Sequence, residues 1–272
     1  MGKLTHEHFQ NLGDFLQALE RNVNPNIGID ISDLSSRKLH RQGWTEYTWE
    51  ESVEKISTGI PEIRDTMKKA LKINANGCTK PKNHPRNYYY GQKPNVPAAI
   101  AGMPKSMRQN QRIKQPTKTV TIVYSMCTPW KTSGDSITKS SCAVLRMIAG
   151  LEKSGIRVKL VILPYAGQSR DGNMSICSIT LKDWRQPLNA QKLSFCLGTS
   201  AMFRRFGFAW LETSPSTGDF GGYGSTLDSA NIVNTFPKMR LDQKSTHYVD
   251  IDACVEQDYD PVKIAKAIGL TV

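Results

Sequence analysis

The sequence predicts an α/β protein: a mainly parallel sheet flanked by helices, with an N-terminal helical extension and a basic arm. Three observations predict it. A strand–helix–strand run with short joints fills residues 119–163, and parallel strands need a crossover of that kind. Residues 1–75 place apolar side chains at helical spacing, whereas residues 76–118 are rich in cations, Pro and Asn and have no apolar period. The 272 residues, 39% hydrophobic and 22% charged, suffice for one large domain with an extension and argue against wholesale disorder. No run of eighteen apolar residues exists to span a membrane. The chain starts on polar helical sequence without the apolar stretch of a secretory leader, so a soluble protein is expected.

Taken in order, Thr5–Arg21 reads as an amphipathic helix through Phe9, Leu12, Phe15, Leu16 and Leu19, with Thr5 as its cap. On that helix His6 and His8, two apart, would not share a face, so no ligand role is expected of them. Residues 22–43 are irregular and polar. Thr48-Trp49-Glu50-Glu51 is a capping box opening a second helix, and Gly59-Ile60-Pro61 ends it and starts a third that runs to Ile73. Residues 74–118 are expected to be mostly loop, with a short helix near Pro97–Ala101.

The β-rich run Thr119–Tyr124 is followed by a helix over Thr138–Ser154, closed by Gly155, and by a strand over Arg157–Leu163 that Pro164 should stop. Ser175–Leu181 reads as a third strand. Leu188–Leu211 reads as helix in two pieces meeting near Gly198, the second apolar nearly all round except for Arg204 and Arg205 and therefore buried. Gly218–Gly224 is a glycine-rich loop, Thr246–Ile251 a late strand and Pro261–Ile268 a closing helix. The boundaries are an extension at 1–75, an arm at 76–118 and an α/β core at 119–272, with no internal repeat.

The net charge of +12 has a location. Residues 66–118 hold twelve Lys/Arg and no Asp or Glu; outside them 24 Lys/Arg face 24 Asp/Glu. Such a segment repels itself and calls for anionic company. Tyr88, Tyr89 and Tyr90 stand among the cations, an arrangement suited to a polyanion whose bases can stack. The candidate nucleic-acid-binding residues are Lys80, Lys82, Arg86, Tyr88, Tyr89, Tyr90, Lys93, Lys105, Arg108, Arg112, Lys114 and Lys118, with DNA or RNA as the partner. The competing expectation is an arm that wraps the acidic side of its own fold or of a neighbouring subunit.

Other candidates for chemistry are sparse. Asp250 and Asp252, two apart on the expected strand, would face one way and are weak candidates for holding Mg²⁺ or for acid–base work; a solvated strand end or a helix cap is the simpler reading. Gly221-Gly222-Tyr223-Gly224 lacks the Lys-Ser/Thr of a P-loop. Ser133 and Ser136 flank a helix start that could touch an anion, opposed by Asp135. Arg204 and Arg205 could grip phosphate or pair with a buried carboxylate. His84 and His247 have no visible nucleophile partner, and the six cysteines form no C-x-x-C pair, which predicts buried free thiols. The sequence assigns no catalytic residue and no cofactor.

Four stretches carry a resemblance: the tryptophan-led helix at 48–59, Asn95-Val-Pro-Ala-Ala-Ile-Ala-Gly-Met-Pro104, the strand–helix–strand unit at 119–163, and Ala201-Met-Phe-Arg-Arg-Phe206 followed by Gly222-Tyr-Gly224. Their order resembles a family of uncharacterised bacteriophage proteins, which implies a phage origin and a place in the host cytoplasm and supplies no established activity. The strand–helix–strand half also resembles a von Willebrand factor A-type domain. Such domains often hold a cation through D-x-S-x-S after their first strand; Tyr124, Met126 and Thr128 stand at those positions here, so the carboxylate and one hydroxyl are missing. The leading expectation is a non-enzymatic phage protein that binds nucleic acid. The alternatives are a von Willebrand-like module that partners a ring ATPase or its own copies, and a metal-dependent nuclease or phosphotransferase using Asp250 and Asp252.

Overall fold

The computed structural model describes residues 2–21, 45–73, 83–91, 93–112, 118–129, 132–221 and 223–270. The chain opens on a strand, β1 (Leu4–Phe9), and a short helix, α1 (Leu12–Ala18). The expected helix over Thr5–Arg21 is thus correct only in its second half. Residues 4–9 pair in parallel with a strand some 170 residues away, Leu4 opposite Met174 and Phe9 opposite Ile179, and that non-local pairing decides their conformation. Helix α2 (Trp49–Thr58) carries the capping box as expected: Glu51 N–H donates to Thr48 Oγ1 at 3.2 Å and Thr48 N–H to Glu51 Oε2 at 2.8 Å. Gly59 ends it at φ +73° and α3 (Pro61–Ile73) follows.

The segment expected to be loop forms instead a small antiparallel sheet of β2 (Asn83–Tyr88), β3 (Lys93–Pro94) and β4 (Met107–Arg112), in the order β2-β4-β3. The short helix is present as α4 (Val96–Ile100). Then comes the strand–helix–strand unit: β5 (Thr119–Ser125), α5 (Gly134–Lys153) and β6 (Arg157–Gln168), with β5 and β6 parallel. Strand β6 runs through Pro164 rather than stopping there; its register against the next strand, β7 (Met174–Lys182), shifts between Ile162 and Tyr165, and at such a bulge proline forfeits no ladder bond.

The remaining elements are α6 (Ala190–Gly198), a π-helical turn over Met202–Gly207, α7 (Phe208–Thr213), β8 (Ser225–Thr226), α8 (Ser229–Thr235), β9 (Thr246–Val249), α9 (Ile251–Glu256) and α10 (Pro261–Ala267). The central sheet runs β1-β7-β6-β5-β9, with β8 on the end of β6. Neighbours are parallel except β6 with β7 and β8, so this is the mixed, mostly parallel α/β architecture the sequence predicts.

Strand alternation sorts the core into two faces. Val120, Ile122, Tyr124, Val158, Leu160 and Ile162 join one large cluster with α1–α3, α5–α7, α9 and α10. Val123, Val161, Leu163 and Ile176 face the other way onto Leu227, Ile232, Phe236 and Met239 from the α8 region. The π-helical turn lies on the first face and is wholly buried, as expected for that stretch. Its Gly207 is obligatory, because a Cβ there would stand 2.1 Å from the Pro164 carbonyl oxygen of β6. Gly207→Ala is expected to cost about 1–3 kcal/mol by overpacking, read as a shifted denaturant midpoint at unchanged slope.

The second face is only partly covered. Beyond Met239 it exposes a polar floor in which His6 Nε2 and His8 Nδ1 each lie 2.8 Å from Ser178 Oγ. Burial and then His8, against a smaller opposite effect of Glu7, push His6 from 6.5 down to about 4; burial and then the Lys159 charge lower His8. Unfolding frees His6 to take a proton at 6.5. The unfolded state therefore binds more protons between pH 6.5 and about 4, so stability is lost as pH falls through that window. A His6→Gln variant is expected to show a shallower decline of melting temperature across that window than the native chain.

Candidate nucleic-acid interface

The small sheet is built by composition that disfavours burial: Asn, Gln and Arg make up eight of the twelve residues of β2 and β4. Gly91 lets the chain pass from β2 to β3, since a Cβ there would sit 2.4 Å from the Arg108 carbonyl oxygen. Strand β4 then takes Lys93 and Asn87 on either side of Arg108. Lys93, Lys105 and Arg108 are all exposed. Tyr89 and Tyr90 are 66% and 69% exposed, an unusual state for large rings in water. The Lys105 ammonium stands 5.5 Å from the Tyr89 ring centroid, and the Tyr88 and Tyr90 rings are 6.3 Å apart, tilted. The adjoining α4 adds exposed Val96 and Ile100, with Met103 beyond it.

Of the other predicted binders, Arg86 and Arg112 lie on β2 and β4, and Lys118 is exposed at the start of β5, where its carbonyl accepts from Arg157 N–H at 2.8 Å. Lys80, Lys82 and Lys114 lie outside the described residues, as do Cys78 and Gly222.

Asp250 and Asp252 do not share a strand. Strand β9 ends at Val249, Asp250 caps α9 by accepting Ala253 N–H at Oδ1 (2.7 Å), and Asp252 is exposed in the first turn. Both line a cleft of about 1120 Å³ at the C-terminal ends of β5 and β9, with Asp228 and Glu256. Thr128 lines it too; its buried hydroxyl has no hydrogen-bond partner among the described residues. Nowhere among the described residues do three His, Cys, Asp or Glu side chains converge as metal ligands. Ser133 caps α5 by accepting Ser136 N–H at 3.2 Å. Arg205 is buried and donates to the Tyr47 carbonyl at 2.8 Å and to Thr45 Oγ1 at 2.7 Å; Arg204 donates to the Pro129 carbonyl at 3.2 Å. The two arginines thus tie the loop before α2, and the one after β5, to the π-helical turn. His247 Nδ1 lies 2.8 Å from the Ile268 carbonyl oxygen.

The five described cysteines are free thiols, and burial pushes Cys127, Cys196 and Cys254 up to about 12, which makes them inert as nucleophiles. No described helix is long and apolar enough to cross a membrane. What the sequence reading missed is the histidine pair on β1: two apart on a strand, they share a face that a helix would have denied them.

The family described as "Domain of unknown function (DUF7192)" matches residues 2–271. No curated protein and no solved structure matches the chain. The matched span runs from β1 to the last residues after α10, so the sheet, its helices and the arm are one family unit, and the chain belongs to the DUF7192 domain family.

Proposed function

We propose that the protein is a non-enzymatic nucleic-acid binder of phage origin, acting in the host cytoplasm on DNA or RNA through the arm and the adjoining core surface. One observation carries the reading: two exposed tyrosine rings stand in the turn after β2 of the small sheet, in company with exposed Lys93, Lys105 and Arg108, in a stretch without a single carboxylate. Exposed rings among cations suit a single strand, where bases stack and phosphates pair. The phage origin in this reading comes from the order of the four stretches, and the Asp250 cap leaves the carboxylate-pair chemistry without support.

The test is fluorescence anisotropy with labelled single-stranded DNA, duplex DNA and RNA, each across a salt series. Binding that weakens steeply with salt, with the single strands ahead of the duplex, is the expected result; no binding at low salt overturns the reading. A second reading is favoured by Ile100, 83% exposed on α4, with Val96 and Met103 near it. A von Willebrand-like module that docks on a ring ATPase or on its own copies would bind through such an apolar surface and tolerate moderate salt.

A further inference from the structure

The uncovered part of the second sheet face forms a separate cavity of about 680 Å³. Its floor is a hydrogen-bonded row across β1 and β7: His6, Ser178, His8 and then Thr180, whose Oγ1 is 3.2 Å from His8 Nε2. Its walls bring in Lys159 from β6 and Lys238 and Arg240 from the segment after α8. The described lining contains no carboxylate. Glu7, between the two histidines, points to the opposite face, where it accepts from Trp210 Nε1 at 2.7 Å and pairs with Arg21. Three cationic side chains therefore line a hollow that has no carboxylate in its described lining, and the Lys159 ammonium stands 5.3 Å from the Trp184 ring centroid.

We propose that this cavity binds a phosphate group, with Lys159, Lys238 and Arg240 supplying charge and the His6–Ser178–His8 row supplying a floor that can gain protons. Phosphate is the class that fits, because three cations favour more than a single negative charge and a tetrahedral anion can accept from several of them at once. The floor can also take up protons without breaking. With neutral rings, Ser178 accepts from one imidazole and donates to the other; with protonated rings it accepts from both and turns its own proton to the Glu7 carbonyl oxygen, 3.4 Å away. Burial and then His8 oppose a proton on His6, against a smaller opposite effect of Glu7, and burial and then the Lys159 charge oppose one on His8. A phosphate reverses that field, so binding and protonation help each other reciprocally. Arg240 lines the cavity although it holds φ +57°, a left-handed conformation that favours glycine.

This site is independent of the arm, since none of its residues lies there. The experiment is imidazole ¹H–¹⁵N NMR of the full chain titrated with inorganic phosphate at constant ionic strength held by chloride. The His6 and His8 signals are expected to shift saturably, the His247 signals to stay, and the His6 titration midpoint to rise by about one unit, a roughly tenfold coupling. Lys159→Met is expected to weaken phosphate roughly tenfold. Arg240→Gly is expected to weaken phosphate while raising the melting temperature, a split that a purely structural arginine would not give. A variant with Lys93, Lys105 and Arg108 changed to Glu should bind phosphate unchanged, which keeps this result separate from that of the arm. His6 and His8 signals that do not respond to phosphate, or that respond equally in Lys159→Met and Arg240→Gly, overturn the proposal. A mononucleotide and a short phosphodiester then distinguish the source: competition by the monoester alone identifies a small phosphorylated ligand, and competition by both identifies a nucleic-acid backbone.

Discussion

Changing Lys93, Lys105 and Arg108 together to glutamate is expected to lower affinity for a single strand by roughly a hundredfold or more near physiological salt, and to flatten the log K against log salt slope by about 2, since each phosphate contact on a single strand contributes about 0.7. All three side chains are exposed, so the substitution leaves the fold intact. The slope matters as much as the affinity. A protein-docking arm would lose binding to its partner on charge reversal too, but nucleic acid adds counterion release, which only the salt series reads. Tyr89→Ala with Tyr90→Ala separates the contributions further: each ring is expected to be worth about 1–3 kcal/mol if a base stacks on it, with the salt slope unchanged. A variant that loses neither affinity nor slope would move the function to the apolar surface of Ile100 and its neighbours.

The arm shows what a sequence conveys and what it withholds. Its charge was plain, because net charge is a sum over residues and needs no coordinates. Its strands were not, because Asn and Pro are poor strand formers; antiparallel pairing of β2 and of β3 with β4 builds the sheet, and the β2–β4 pairing joins residues up to 29 apart, as in Asn83 with Arg112. The same distinction runs through the core. The capping box at Thr48, the Gly59 break and the β5–α5–β6 unit rest on local spacing and stand in the structure as the sequence predicts. Strand β1 rests on β7, far along the chain, and the apolar spacing of Leu12, Phe15 and Leu19 extended a helix backwards over it. With that strand hidden, the His6–His8 pair had no shared face, and the cationic cavity was not legible. Asp250 went the other way: a strand four residues long ends at Val249, two positions before the expected Ile251, and the carboxylate becomes a cap.

Glu152→Ala is expected to destabilise the fold by about 3 kcal/mol, the low end of the range for breaking a buried ion pair by removing one partner. The Lys182 side chain is 2% exposed at the end of β7, and its ammonium donates to Glu152 Oε1 at 2.6 Å, to the Val158 carbonyl at 2.7 Å and to the Asp183 carbonyl at 3.2 Å. Without Glu152 the charge stays in place with two carbonyl oxygens and no counter-ion. Glu152 itself is 20% exposed, so water partly solvates the pair, which sets the low end rather than the high. Lys182→Met removes the charge, keeps the stem packed against β6 and leaves Glu152 free to turn to solvent, so its cost is expected to be below about 1.5 kcal/mol. The double variant should then resemble Lys182→Met alone, with most of the Glu152→Ala loss recovered. Chemical denaturation of the three variants gives the coupling directly. If Glu152→Ala were as mild as Lys182→Met, the ammonium would be held by the Val158 and Asp183 carbonyls alone, and the join between α5 and the sheet would owe its stability to the apolar contacts of Leu151 and Val158 rather than to charge.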